Sequence, residues 1–200
     1  AKLLKSKNVS GDEFAKVACQ EWIDVRSFGQ VFAFKADKGS GVSVGVRGPV
    51  SIHPAVSLDP IDITSVQITK SVNSEPGAAR GSDTMGMKHR VEFGVYVFYG
   101  SINTQLAEKT GFTHEDAEKL KEALLTLFEN DSSSARPEGS MEVNTVYWWK
   151  HKSKLGQYSS AKVHRSLLIE KNVPEPKSFE DYSFTVQPLD GLEVEVLNGR

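Results

Sequence analysis

Apolar residues recur along this chain at two spacings, and the switches between them mark its elements. Phe14, Val17, Ala18 and Trp22 fall on one helical face behind Ser10-Gly11-Asp12-Glu13, a capping box. A helix is therefore predicted over roughly 11–23, with Cys19 off its apolar face. Asp24–Gly29 reads as a tight loop, Gln30–Lys35 as a strand and Lys38-Gly39-Ser40-Gly41 as a turn. A second strand, Val42–Arg47, stops hard at Gly48-Pro49. The strongest strand pattern in the chain is Arg90–Tyr99. Between these two strands lie about forty residues that make poor core, punctuated by Pro54, Pro60 and Pro76 and loosened by Gly77, Gly81 and Gly86. Within them Ile61–Thr69 alternates as a half-exposed strand does, and its parity shift between Ile63 and Val66 suggests a bulge. The whole reads as an arm, at about 50–90, projecting from two sheet strands.

After Arg90–Ser101 the pattern gives a loop from Asn103 to Gly111. Thr113-His114-Glu115-Asp116 then opens a helix with an acidic variant of the capping box. Ala117, Leu120, Leu124, Leu127 and Phe128 form its apolar face. Met141–Lys150 and Tyr158–Glu170 each supply a strand, and Asp190-Gly191 is a hairpin turn between Phe184–Val186 and Leu192–Val196. The order helix, strand, strand, helix, strand is that of a ferredoxin-like, RNA-recognition-type α+β unit whose first strand would lie before Ala1. The expectation is one domain over residues 1–200 that carries the arm as an insertion. Domains of this topology bind single strands on the open sheet face.

Charge refines this picture. The chain of 200 residues carries a net charge of −2, so it is no polycation. The charges are unevenly placed: Glu115, Asp116, Glu118, Glu122, Glu129 and Asp131 make an acidic helix surface, while Lys150, Lys152, Lys154, Lys162, Arg165 and Lys171 make a basic stretch. That division suits a nucleic-acid binder with an acidic back, although charge alone favours a plain solvated surface. Cys19 is the single cysteine, which points to a reducing cytoplasm and leaves no cysteine zinc site. The five histidines are scattered and do not form the helical pair of a zinc protease. The glycines at 39, 41 and 45 lack dinucleotide spacing, and no phosphate-loop lysine follows them. No cofactor is expected.

The sharper chemical signal lies at the end of the arm. Met85, Met87, Lys88, His89 and Arg90 set adaptable thioethers beside basic or titratable groups. The bland reading has the methionines pack the base of the arm and the charges stay solvated. Arg26 has two equal readings, a cap on the preceding helix carbonyls or a phosphate contact. Tyr147, Trp148 and Trp149 could stack bases, but alternation turns at least one of them inward.

These motifs, taken together, resemble the CRISPR-associated backbone subunit of type I-C effectors, the Cas-seven or Csd-two family. The resemblance rests on Asp24-Val25-Arg26-Ser27-Phe28-Gly29, Arg47-Gly48-Pro49-Val50-Ser51 and Asp59-Pro60-Ile61-Asp62-Ile63-Thr64. It continues in Thr84-Met85-Gly86-Met87-Lys88-His89, Lys109-Thr110-Gly111-Phe112 and Leu127-Phe128-Glu129-Asn130-Asp131 before Ala135-Arg136. It implies a ferredoxin-like palm, irregular fingers and a thumb, the arm. It further implies a non-catalytic subunit that polymerises along CRISPR RNA, supports pairing with target DNA, and meets other copies of itself and other effector subunits. RNA contacts are then expected at Arg26, Arg47, Lys70, Met85, Met87, Lys88, His89 and Arg90. Two other readings keep the fold. One is a metal-dependent RNA endonuclease using Asp24 or Asp83; the other is a monomeric RNA-recognition module.

Overall fold

The computed structural model describes residues 11–34, 42–69 and 85–200. The predicted Ser10 cap, the Lys38–Gly41 turn, Lys70 and Asp83 fall outside the described residues. The chain is mixed α and β, built on short antiparallel strand pairs. It divides into two compact units. One holds residues up to Ile52 with Gly100–Leu167 and Val186–Arg200, and the other holds His53–Tyr99 and Leu168–Thr185.

The first unit is anchored by α1 (Gly11–Glu21) and α2 (Ile23–Phe28). Ala18 and Cys19 of α1 are buried with Val25 of α2, and Phe32 and Val46 pack against them. Cys19 thus belongs to the core, a correction to the face drawn from the sequence. A small thiol serves there as an apolar group, and burial pushes its pKa up. Phe14 meets Phe32 edge to face at 4.9 Å. Residues 24–28 are helical where a loop was expected, and Val25 and Ser27 of this extra turn are both buried. Strands β1 (Gly29–Phe34) and β2 (Val42–Arg47) pair antiparallel from Gly29↔Arg47 to Phe34↔Val42. At the open end of this pair the backbone crosses itself. Gly29 has φ +82°, and a Cβ there would lie 2.3 Å from the Val46 carbonyl oxygen. A Cβ on Gly48 would lie 2.3 Å from the Ser27 carbonyl oxygen, so both glycines are sterically required. Pro49 beside them is fully buried.

Strand β3 (Val50–Ile52) follows; the second unit intervenes before its partner, β8 (Gly100–Ile102), as Val50 pairs with Ile102. The expected 103–111 loop is a helix, α3 (Thr104–Thr110), with Asn103 accepting from the Leu106 amide and left-handed Gly111 ending it. The Thr113/Asp116 capping box forms as predicted and opens α4 (His114–Leu125). The helix ends before Leu127, which is 44% exposed in the following turn rather than part of the apolar face. Strand β9 (Thr145–Trp149) pairs with β12 (Val194–Asn198), and α4 packs on β9. Between them α5 (Ser160–His164) occupies the first part of the expected 158–170 strand.

In the second unit β4 (Val56–Ser57) pairs with β7 (Tyr96–Val97), and β5 (Ile63–Thr69) pairs with β6 (Met85–Val91). The single strand expected over 90–99 is therefore broken. Val91 ends the partnership with β5, and the chain resumes with other partners at Tyr96 and at Gly100. The β5–β6 register runs unbroken through seven pairs, so the parity shift is no bulge; it places Ile63 and Val66 on opposite faces. Strands β10 (Leu167–Lys171) and β11 (Tyr182–Val186) complete the sheet pairs. The Asp190-Gly191 turn closes a Leu189–Leu192 bridge, but its flanking strands do not pair with each other, since β11 belongs to β10 and β12 to β9. Asp59 accepts from Lys171 Nζ (2.6 Å) and from Tyr182 OH (2.8 Å). No helix among the described residues is long and apolar enough to cross a membrane.

Candidate nucleic-acid interface

Five of the predicted contact residues stand on one strand of the arm. Every residue of β6 is exposed, Met85 at 65% and Met87 at 54%. Successive side chains on a strand point to opposite faces, so the five do not form one cluster. Met85, Met87 and His89 share a face with Thr69, Gln67 and Ser65 opposite them. Lys88 and Arg90 share the other face, opposite Val66 and Thr64, with Gly86 leaving room above Ile68. The methionine face is held by polar contacts: Gln67 Nε2 donates to Met85 Sδ (2.8 Å), and Ser65 Oγ and His89 Nδ1 are 2.8 Å apart. On the cationic face Arg90 Nε donates to Glu92 Oε1 (2.8 Å), and that guanidinium holds the Glu92 carboxyl below its ordinary range. Such an exposed pair is weak and exchangeable. Lys88 has no side-chain partner among the described residues. One side of the hairpin can therefore meet phosphates, while the other offers soft thioethers and an imidazole to an apolar or aromatic surface.

Lys70 lies outside the described residues; the first unit holds the other two, Arg26 and Arg47, and they differ. Arg26 points inward. Its Nε donates to Asp116 Oδ2 (2.9 Å) and its Nη2 to Asp116 Oδ1 (2.6 Å), a bidentate pair. Its Nη1 also reaches the Cys19 carbonyl (3.4 Å), which gives the helix-cap reading of Arg26 its geometry. Asp116 is 3% exposed and also accepts from the Thr113 amide (2.9 Å) and hydroxyl (3.1 Å). Arg26, first among these partners, pulls the Asp116 pKa down to about 2, with the Thr113 bonds adding to it against the opposing cost of burial. The Arg26 pKa rises in return. Arg47 points outward. It ends β2 opposite Gly29, is exposed, and has no side-chain partner among the described residues. The Gly29–Gly48 crossing beneath it fixes its backbone.

Asp116 was read from the sequence as a cap and as part of an acidic surface. Its second role, as the partner of an arginine 90 residues away, has no local signal. Asp24 spends Oδ1 on the neighbouring Val25 amide (2.9 Å). Among the described residues no group of three or more His, Cys, Asp or Glu side chains is arranged to hold a metal ion. His151 Nδ1 accepts from the Gln157 amide (3.0 Å), so this histidine builds a loop. Trp148 lies beneath Lys121 Nζ, 5.6 Å from its ring centroid, while Tyr147 and Trp149 stack at 6.3 Å on the other face of β9.

The sequence profile of the CRISPR-associated protein Cas7 family matches residues 2–187. A CRISPR-associated protein Cas7 from Haloferax volcanii is 26% identical over 124 residues, which cover 56% of this chain and 36% of that relative. The matched region thus spans about a third of the relative's length. Because the profile match runs over nearly the whole chain, through both units and both groups of candidate residues, the chain belongs to the CRISPR-associated protein Cas7 family.

Proposed function

We propose that this chain is a non-catalytic backbone subunit of a type I-C CRISPR effector, which binds CRISPR RNA in the cytoplasm and repeats along it. In this reading the first unit is a ferredoxin-like palm, and the order α1, β1, β2, α4, β9 supports it. The type I-C assignment rests on the ordered motif set given above. The observation that carries RNA binding is the exposed β5–β6 hairpin, with Lys88 unpaired among the described residues and Arg90 only loosely paired on one face. A protein that holds a guide must accept any sequence, so it should grip backbone and shape. A few cations per subunit suffice when copies repeat along the strand, and a net charge of −2 is compatible with that. Lys70, Arg47, Lys88 and Arg90 supply phosphate contacts in this reading; Met85, Met87 and His89 lie against bases or a neighbouring subunit. Arg26 shapes the palm surface through Asp116. Base pairing between the held guide and target DNA, and contacts with further effector subunits, follow from the same role.

The experiment is a salt titration of RNA binding by the full chain. Each lost phosphate contact should flatten the slope of log K against log salt by about 0.7. Lys88→Ala and Arg47→Ala should each do so, with equal effect on RNAs of different sequence. Unchanged slopes in both variants would remove these residues from the site. Cleavage of labelled RNA by the wild type with magnesium or manganese would remove the non-catalytic reading.

A further inference from the structure

The loop from Lys150 to Tyr158 is unusually well tied for a surface loop. The Lys152 amide donates to Gln157 Oε1 (2.8 Å) and the Gln157 amide to His151 Nδ1 (3.0 Å). Tyr158 OH donates to the Asp190 carbonyl (2.8 Å) and Thr104 Oγ1 to the Lys154 carbonyl (2.7 Å). At the tip, before Gly156 with φ +79°, stands Leu155, 86% exposed. A lone exposed leucine is ordinary on a mobile loop. Here the backbone is pinned, so the side chain is presented. From Lys150 to Arg165 the chain carries five Lys or Arg residues and no Asp or Glu.

Elsewhere in the same unit, α4 and β12 enclose an open cavity of about 360 Å³. Leu125 and Leu197 line it, with Glu115, Glu118, Glu122 and Glu195 and two lysines around them, of which Lys119 pairs with Glu115 (2.8 Å). Lys121 within it already bridges Glu118 and Glu195, each at 2.8 Å. Glu122 has no side-chain partner among the described residues, and neither does Lys152. Leu155 is exposed, so knob and cavity do not meet within one copy.

We infer that the Leu155 loop of one copy seats in the acidic cavity of a second copy, with Lys152 facing Glu122. The inference rests on the reading of this chain as a repeating subunit and names a surface for the repeat. Lys152 is complementary to Glu122, Lys154 being already paired with Glu108, and an aliphatic knob matches a leucine floor. RNA suits the loop less well: Leu155 offers no stacking face, and the Tyr158 ring is covered by Lys162 Nζ at 4.5 Å. Two different patches meeting in this way generate a run of copies.

The test uses the full chain with two oligouridylates, one short enough for a single subunit and one long enough for several. Fluorescence anisotropy on the short RNA reads the RNA grip; particle mass on the long RNA reads contacts between copies. Lys152→Glu and Glu122→Lys should each weaken multi-copy assembly about tenfold. Both should leave short-RNA affinity within about twofold, since neither residue has an internal side-chain partner to lose. The double variant should restore assembly, which no misfolded chain would do. Leu155→Asp should weaken assembly at least as much as either single variant. Assembly that ignores all of these changes, or a double variant as impaired as the singles, overturns the inference. So does a Lys152→Glu variant whose defect lies in the short-RNA affinity, for the loop would then be an RNA contact. A wild type that binds the short RNA but never forms multi-copy particles overturns the repeating-subunit reading itself, and this surface with it.

Discussion

Arg26 and Lys88 are both cations in family-resembling motifs, and the fold treats them in opposite ways. Arg26 closes a knot whose carboxylate is buried and whose guanidinium is half-buried: it spans Asp116, which belongs to the α4 capping box, and reaches back to the end of α1. Lys88 stands on a two-stranded hairpin whose β6 residues are all exposed. A buried pair resists loss of either partner, because the survivor keeps a charge without compensation. An exposed cation costs the fold almost nothing to lose. A charged residue in a motif thus says that something opposite will meet it; only the structure says whether that partner is in the same chain.

The contrast breaks most visibly at the knot. Asp116→Ala should destabilise the first unit by about 3 kcal/mol, read by urea or thermal unfolding, since it strands Arg26 and removes the carboxylate half of the capping box together. A loss under 1 kcal/mol would mean that the knot is not a structural centre. Acid should loosen the same knot reversibly. The Asp116 pKa is lowered to about 2 in the fold from 3.8, so its contribution is complete above pH 4 and fades as pH falls from about 4 to about 2. The Asp116→Ala variant should lose that part of the acid transition, and a wild-type-like acid profile would contradict the assignment.

The second unit has a milder knot, which sharpens the comparison. Tyr182→Phe removes the hydroxyl that Asp59 accepts, at a cost of about 1 kcal/mol. The tyrosine pKa is pushed up to about 12, chiefly by burial and then by Asp59. Its proton therefore stabilises the fold fully below pH 10, and that contribution is lost as pH rises toward 12. Burial also raises the Tyr147 pKa, so ultraviolet titration of tyrosinate should show late-titrating tyrosines, and the Phe variant should lack the one near 12. At the small end, Lys88→Ala and Arg47→Ala should shift stability by no more than about 0.5 kcal/mol while still flattening the salt slope of RNA binding. A large stability loss from either would place it with Arg26.

The sequence made one half of this contrast readable. Prolines, glycines and the alternation of Ile61–Thr69 are local signals, and they locate the arm and its first strand; that Met85–Val91 forms the second strand, paired with β5, has no comparable local signal. The Thr113/Asp116 box is likewise local and forms where read. Helices α2 and α3 read as loops in the sequence because their burial comes from tertiary contacts, through Val25, Ser27 and Thr110, rather than from a long apolar stripe. The long strand over 90–99 fails for a similar reason: β propensity reports a half-buried surface, not the number of partners, and here the partner changes twice. The Arg26–Asp116 pair joins residues 90 apart, beyond any window of periodicity.

The polar latches on the arm have one more consequence. A hairpin with a buried face cannot slide, because sliding by one residue would carry its apolar side chains into water. The β5–β6 hairpin buries neither face, so hydrophobicity exacts no such penalty. Its alignment is guarded instead by small polar contacts, among them Ser65 with His89, Gln67 with Met85 and Thr64 with Glu92. Slippage by one position would exchange the cationic and methionine sides relative to whatever the arm meets. These short polar residues thus act as detents, and the handedness of the tool depends on them more than on the residues that do the touching.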